Sequence, residues 1–322
     1  MELIIKDPDI GKRIDIFISE KVSDFSRSQI KKAILSDTIT VNKRFVKPSY
    51  KLRKGNMVTV DKKSLYDLQK PTELKAEKVP LKIIYEDNNI IVIDKPRKMV
   101  IHPGAGNQDN TLVNALLGYY PEIVSAVHNK NKTSLERPGI VHRLDKDTSG
   151  VLVVAKNKKS LAYLSKQLKK GYFNKYYLAL CYGWLPESGR IESYLSRDKK
   201  NRKKIIEVEK EFGKNAILEY ISKEYYETKK GKEKITLVEI KILTGRTHQI
   251  RVQLKGIGFS VLGDQVYFTK ESKRISNIIG IKRQMLHAFK IELKLQNSTK
   301  LSKFESKIPD DFRNVMKNLV HL

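Results

Sequence analysis

The segment Val151-Leu152-Val153-Val154-Ala155 constrains the fold of this chain more than any other. Five apolar residues in a row, three of them β-branched, read as a buried strand. Directly ahead stand His142-Arg143-Leu144-Asp145-Lys146-Asp147-Thr148-Ser149-Gly150, rich in charge and in hydrogen-bonding groups. A basic and an acidic side chain, Arg143 and Asp145, therefore lie two positions apart at the mouth of a sheet.

Other segments fill in that sheet. Ile83-Ile84-Tyr85 and Ile90-Ile91-Val92-Ile93 flank a turn at 86–89. Residues 158–170 read as a helix, with Leu161, Leu164 and Leu168 at helical spacing and Gly171 just past its end. Strands are expected at 176–182, 215–226 and 234–243, the last two joined by a charged hairpin loop at 228–233. A short helix is expected at 247–255, ending near Gly256 and Gly258. Many strands and few helices, in no strict alternation, give an α+β class with a largely antiparallel sheet.

Residues 1–61 form a smaller unit by pattern. Ser26 is the expected N-cap of a helix whose apolar face is Ile30, Ala33 and Ile34. Thr38-Ile39-Thr40-Val41-Asn42 alternates as a strand, Asn42-Lys43 supplies a turn, and Met57-Val58-Thr59-Val60 is a second strand. Arg27, Lys31 and Lys32 gather on one exposed side of the helix, as an ordinary solvated face or as a grip on phosphates. Residues 62–80 are polar, carry two prolines and show no sustained period, so they are expected to be a linker ahead of a larger domain at 81–322.

The chain has 322 residues with 64 Lys+Arg against 36 Asp+Glu, a formal charge of +28. That balance favours a polyanionic partner, although a lysine-rich composition throughout would also give it. The cluster at 197–204 is the densest in positive charge, read as a surface loop or a phosphate contact. The single cysteine, Cys181, excludes an intramolecular disulfide and a cysteine-based zinc site, and is expected to be buried. The start of the chain lacks a signal-peptide core, and no apolar stretch approaches ~18 residues, so a cytoplasmic setting away from membranes is expected.

Three segments carry candidate chemistry. In the first, Asp145 is favoured as the reacting carboxylate, whether nucleophile, base or ligand, and Asp147 with Ser149 as a turn bonding local backbone amides. In the second, Gly245-Arg246-Thr247-His248-Gln249-Ile250-Arg251-Val252, Arg251 between two β-branched residues is expected to be partly buried. A buried arginine needs a carboxylate, and Asp145 is the natural partner. In the third, Tyr176 and Tyr177 point to opposite faces of a strand, one to pack and the other to stack on a base or act through its hydroxyl. His102, His142, His248 and His287 lack metal-ligand spacing, so neither a metal nor another cofactor is expected. The serine in Thr148-Ser149-Gly150 lacks the leading glycine of a hydrolase elbow, and His102-Pro103-Gly104-Ala105-Gly106-Asn107 lacks the ending of a phosphate loop.

Two resemblances gather these segments. Arg13-Ile14-Asp15, residues 26–30, residues 39–42 and residues 47–52 ahead of Gly55 resemble an S4-type RNA-binding domain. There Asp37 and Lys43 stand where the family usually carries glycine, and aspartate tolerates left-handed backbone better than most residues. Asp94-Lys95-Pro96, His102-Pro103-Gly104, residues 137–145, residues 175–180, residues 245–251, residues 263–267 and residues 283–288 resemble the pseudouridine synthases of the large-ribosomal-subunit, S4-domain-bearing kind. Arg97-Lys98 departs from the small residue and glycine usual after the Lys-Pro pair.

The resemblance implies isomerisation of uridine in RNA without a cofactor, the base detaching at C1′, turning and rejoining through C5. It makes Asp145 the essential aspartate, acting on C1′ or as a base on the sugar. It makes Tyr177 the residue stacking on the flipped uracil, Arg251 the partner of Asp145, Arg143 the side chain entering the vacated helix position and Arg246 a phosphate ligand. His142, His248, Gln249 and Ile250 would complete the substrate site, and Arg13, Arg27, Ser28, Lys31 and Lys32 the S4-type RNA surface. Flipping is needed because C1′ and C5 are out of reach inside a stacked helix. RNA, ribosomal ahead of transfer RNA, is the expected partner of a monomeric enzyme. A non-catalytic S4-domain factor predicts a broken catalytic segment, and a glycoside hydrolase predicts two separated acids in an aromatic-rich cleft. Neither fits these residues as well.

Overall fold

A computed structural model describes the whole chain except Ser23, Ser26, residues 68–73, Ala105, Gly106, residues 128–137, Lys230, Lys232, Asn297 and the side chain of Ser28. The expected N-cap Ser26 and the motif residue Arg137 thus lie outside the described residues, as does part of the 228–233 loop. Chain contacts separate two compact units, Met1–Glu73 and Leu74–Leu322. Among the described residues no helix is long and apolar enough to cross a membrane.

In the first unit, strand β1 (Glu2–Ile4) is followed by helices α1 (Ile14–Lys21) and α2 (Arg27–Leu35), strands β2 (Ile39–Val41) and β3 (Met57–Val60), and helix α3 (Lys62–Asp67). The antiparallel sheet runs β1-β3-β2. Ile30, Ala33 and Ile34 face its core with Phe17 and Val58, as the helical spacing requires. The expected turn is a two-residue loop in which Asn42 and Lys43 are both left-handed, at φ 49° and 60°. Asn42 Oδ1 accepts from the Met57 amide at 2.8 Å and ties the loop to β3. Asp37 is left-handed too, at φ 62°, and so is Lys98 of the second unit, at φ 65°. Three non-glycine residues that replace the family's glycines therefore keep the glycine backbone, at a strain of order 1 kcal/mol each.

The expectation of a linker at 62–80 is corrected. Leu65 of α3 is 1% exposed and belongs to the first unit's core. Beyond the undescribed 68–73, the Glu77 amide donates to Asn114 O at 3.0 Å and Asn114 Nδ2 donates to Lys75 O at 2.8 Å. A single buried leucine and backbone hydrogen bonds carry no sequence period, so composition alone reads the stretch as free.

The second unit continues with β4 (Ile83–Glu86), β5 (Ile90–Lys95), α4 (Leu112–Tyr119), α5 (Ile123–Val127), β6 (Ser149–Ala155), α6 (Lys158–Lys170) and β7 (Asn174–Tyr182). It ends with β8 (Ser188–Arg197), β9 (Ile205–Val208), β10 (Lys214–Thr228), β11 (Lys234–Ile242), α7 (Gln249–Gly256), α8 (Lys270–Ile278), β12 (Leu286–Lys294), β13 (Leu301–Glu305), α9 (Asp310–Lys317) and β14 (Leu319–His321). The eleven strands among its described residues form one sheet, β4-β5-β6-β12-β7-β11-β10-β8-β9, with β13 on β12 and β14 on β10. Among the described residues only the β6–β12 pairing is parallel.

The apolar run of β6 is explained by cover on both faces. Leu152 and Val154 pack with α4 and α5, while Val151 and Val153 pack with Leu164 of α6 and with Phe304. Gly150, at φ 119°, lets β12 approach, since a Cβ there would fall 2.1 Å from Ala288 O. The C-cap of α6 is as expected, with Gly171 left-handed at φ 75°, and Asn157 Oδ1 caps the other end by accepting from the Ser160 amide. Helix α7 begins two residues later than expected because His248 is left-handed, at φ 54°, and cannot be helical.

Candidate active site

Asp145 stands in the turn that feeds β6, with its carbonyl accepting from the Thr148 amide at 3.1 Å. The turn is held from behind by long-range partners and not by the local bonds expected of Asp147 and Ser149. Ser149 Oγ pairs with His287 Nδ1 of β12 at 3.0 Å, and Asp147 O accepts from Arg283 Nη1 at 3.2 Å. Arg283 is itself forked onto Asp311 at 2.7 and 2.8 Å. Beneath the turn Lys95, wholly buried, donates to Pro96 O, Met99 O and Lys146 O at 2.8, 2.9 and 3.2 Å. Burial pulls this ammonium down to about 7.

Arg251 enters from the first turn of α7. Its Nη1 donates to Asp145 Oδ2 at 2.8 Å, while Nε and Nη2 fork onto Asp264 at 2.6 and 2.9 Å. Burial alone would lower the guanidinium, but Asp264 and Asp145 outweigh it and hold its pKa above the usual value. Asp264 also accepts from the amides of Val266 and Tyr267 at 2.8 and 2.9 Å, so its lone pairs are well used.

Tyr177 of β7 is 6% exposed and lines the same cleft as Asp145, a space of about 420 Å³. Burial and then the Asp145 charge push its hydroxyl up, so at neutral pH it is a donor and not a phenolate base. Tyr176 points to the other face, where it donates to Glu292 at 3.1 Å beneath Lys290.

The remaining expected residues divide. Arg143 and Arg246 are exposed at the rim, and Arg246 Nε donates to Asn215 O at 2.8 Å. Ile250 is 5% exposed and packs with Tyr177 as an apolar wall. His142 lines the cleft, yet its Nε2 accepts from the Val153 amide at 3.0 Å, and burial keeps it neutral with a pKa of about 3. Gln249 has both ends of its amide engaged internally, by Thr244, Arg246 and Ile217, so it braces the loop that presents Arg246. His248 Nε2 lies 3.8 Å from Asp145 Oδ1.

In the first unit, Arg13, Arg27 and Lys31 all turn onto one carboxylate, Asp15, at 3.0, 3.0 and 3.6 Å. Arg27 and Lys32 are exposed, and of the described set Lys32 alone makes no such ion pair. Lys175 has no role legible in the sequence. It lines the cleft among Asp145, Tyr177 and Arg246, and burial lowers it to about 8. Asp264, Lys95, Tyr267 and Arg283 likewise sit inside motifs that read only as family landmarks. The need of a buried arginine for a full carboxylate fork is the one signal pointing to Asp264.

The family model for RNA pseudouridylate synthases matches residues 89–255, and that for the S4 domain matches residues 12–58. The chain belongs to the RNA pseudouridylate synthase family. This synthase is 35% identical over 315 residues to the ribosomal large subunit pseudouridine synthase D of Vibrio parahaemolyticus, across 95% of its own length and 90% of the relative's. It is 39% identical to an uncharacterized RNA pseudouridine synthase of Aquifex aeolicus, across 94% and 92%. Human RNA pseudouridylate synthase domain containing 1 shares the fold, with a TM-score of 0.58 at 23% identity over 77% of this synthase and 91% of that chain. The enzyme's substrate is therefore RNA, and its reaction the isomerisation of uridine to pseudouridine.

Proposed function

We propose that this synthase modifies uridines of large-subunit ribosomal RNA, with Asp145 as the reacting carboxylate. The choice of RNA is supported by relatives named for the large ribosomal subunit that match the chain nearly end to end. The choice of residue is supported by one observation above all: Asp145 Oδ2 is pinned by Arg251 at 2.8 Å inside a cleft shared with Tyr177. A non-catalytic factor has no need of a buried, doubly anchored arginine aimed at a carboxylate.

The reaction gains and loses no atoms. The C1′–N1 bond breaks, the uracil turns, C1′ bonds to C5, and the proton on C5 leaves as N1 takes one up. The flipped uridine enters the cleft and lies against the Tyr177 ring, with Ile250 behind it. Arg251 holds Asp145 so that its other oxygen, Oδ1, meets the sugar, whether it attacks C1′ or takes a proton there. Arg143 occupies the gap left by the flipped base, and Arg246 with Lys175 supplies cations to the backbone or to the negative charge on the detached uracil. On this reading the synthase acts as a monomer on ribosomal RNA in the cytoplasm.

Asp145→Asn tests the assignment. Single-turnover product should vanish while RNA affinity stays within about twofold, and appreciable turnover by the pure variant would sink it. Mapping pseudouridines in cells lacking the chain identifies the positions; loss confined to transfer RNA would overturn the ribosomal reading.

A further inference from the structure

The second oxygen of Asp145 faces a histidine whose tautomer can be read from the structure. The amide of Ile205, first residue of β9, donates to the hydroxyl of Tyr267 at 2.8 Å. The same hydroxyl lies 2.8 Å from His248 Nδ1, and His248 Nε2 lies 3.8 Å from Asp145 Oδ1. Tyr267 is 6% exposed, and the Arg251 guanidinium stacks on its ring at 5.0 Å.

A backbone amide can only donate, so Tyr267 Oη accepts from Ile205. The single phenolic proton is then directed at the remaining neighbour, His248 Nδ1. Burial raises the phenol's pKa, so that proton stays in place. With Nδ1 accepting, a neutral imidazole carries its hydrogen on Nε2, the atom that faces Asp145. The ring is held by the Nδ1 contact and by edge-on packing against the Tyr267 ring, centroids 5.5 Å apart. Burial depresses its pKa, Asp145 and Asp264 draw it up, and Arg251 and Arg143 push it down. The neutral form therefore governs near pH 7.

We propose that His248 is a positioning residue for Asp145, presenting Nε2–H to Oδ1, and that Tyr267 sets this tautomer. Arg251 then holds one carboxylate oxygen, and His248 stands beside the other. At 3.8 Å the His248 contact is too long to be a formed hydrogen bond, so Oδ1 stays available to the sugar while the nearby N–H limits its swing. This gives His248 a task other than binding substrate, and gives one to Tyr267, which had none. It rests on Asp145 being the reacting group.

The test uses the full chain with histidine ring nitrogens labelled. His248 is one of 6 histidines and is assigned by comparison with His248→Asn. The resting wild type should show the Nε2–H tautomer. Tyr267→Phe keeps the ring on Arg251 but removes the proton that Nδ1 accepts, so the Nε2–H tautomer should lose population to Nδ1–H, which turns a lone pair toward Oδ1. Its single-turnover rate should then fall as pH rises through the His248 titration and recover in acid, where both nitrogens carry protons. The wild-type rate should not follow that titration. His248→Ala should slow single turnover by up to roughly tenfold, less than a formed hydrogen bond to a charged group would give, with RNA Kd unchanged. An unaltered tautomer and pH profile in Tyr267→Phe would overturn the proposal. So would a His248→Ala variant that binds RNA weakly yet reacts at the normal rate once saturated. Turnover by Asp145→Asn would overturn the underlying site instead, and is told apart because the tautomer is measured without substrate.

Discussion

Arg251 reaches Asp145 across 106 positions of sequence with one edge of its guanidinium, and its other edge is committed to Asp264. The three groups form one device: the carboxylate proposed to react, a cation that aims it, and a buried second carboxylate that fixes the cation. Breaking a buried pair by removing one partner typically costs about 3–5 kcal/mol, because the remaining charge is left unpaired. Asp145 still pairs Arg251 when Asp264 is removed, so Asp264→Asn should lower the unfolding free energy by less than that amount and slow single turnover by at least about tenfold, with RNA affinity preserved. Urea unfolding and single-turnover kinetics check both. Arg251→Lys should do no better, since an ammonium cannot fork onto one carboxylate and reach another.

This device is only half legible in the sequence. Arg251 stands between Ile250 and Val252, so its burial and its need for a carboxylate are readable, and Asp145 is the right partner. Asp264 does not stand out, because nothing local marks an acid that receives an arginine from another element. Tyr267, Lys95 and Lys175 stay hidden for the same reason: their roles lie in tertiary contacts. The fold shows the same division. Strand β6 and helix α6 announce themselves through a continuous apolar run and through leucines at helical spacing ahead of Gly171. Strand β8 has few buried positions and gives no clean alternation, while α4 is buried nearly all round and has no stripe. Helices α8 and α9 carry stripes, but short ones set among the long polar stretches near the end of the chain.

Lys175 should set an alkaline limit on the reaction. Its pKa of about 8 lies below the ordinary lysine value, so it loses its charge as pH rises through that point. If the ammonium faces RNA in the cleft, KM for RNA should rise above roughly pH 8. Lys175→Arg, always charged, should remove that rise, and Lys175→Met should show the weaker binding at every pH. An identical alkaline profile in wild type and Lys175→Arg would rule the residue out.

The S4-type unit should bind RNA unequally through its cations. Arg13 is held by Asp15 through two hydrogen bonds, at 3.0 and 3.2 Å, whereas Lys32 is exposed. Removing one cation that sits on a phosphate should reduce the slope of log affinity against log salt by about 0.7–0.9. Lys32→Ala should therefore flatten the slope by nearly one, and Arg13→Ala by much less. Removing the whole unit, Met1–Glu73, should weaken binding further while leaving the single-turnover rate at saturating RNA unchanged. A salt slope unaffected by that deletion would remove the unit from the RNA-binding surface.

Lys95 offers a stability test of the turn that carries Asp145. Its pKa of about 7 in the folded protein against 10.5 unfolded means that the unfolded chain holds more protons between those values. Stability should therefore rise with pH across that window, by at most roughly 1.4 kcal/mol per unit from this group. Urea unfolding at several pH values reads the slope, and Lys95→Met should abolish the part due to Lys95. The methionine leaves Pro96 O, Met99 O and Lys146 O without their donor, at roughly 1–3 kcal/mol for each carbonyl that water cannot reach. Because Lys146 adjoins Asp145, the variant should also slow single turnover. A variant with wild-type stability and an unchanged pH slope would show that the buried ammonium does not hold the turn.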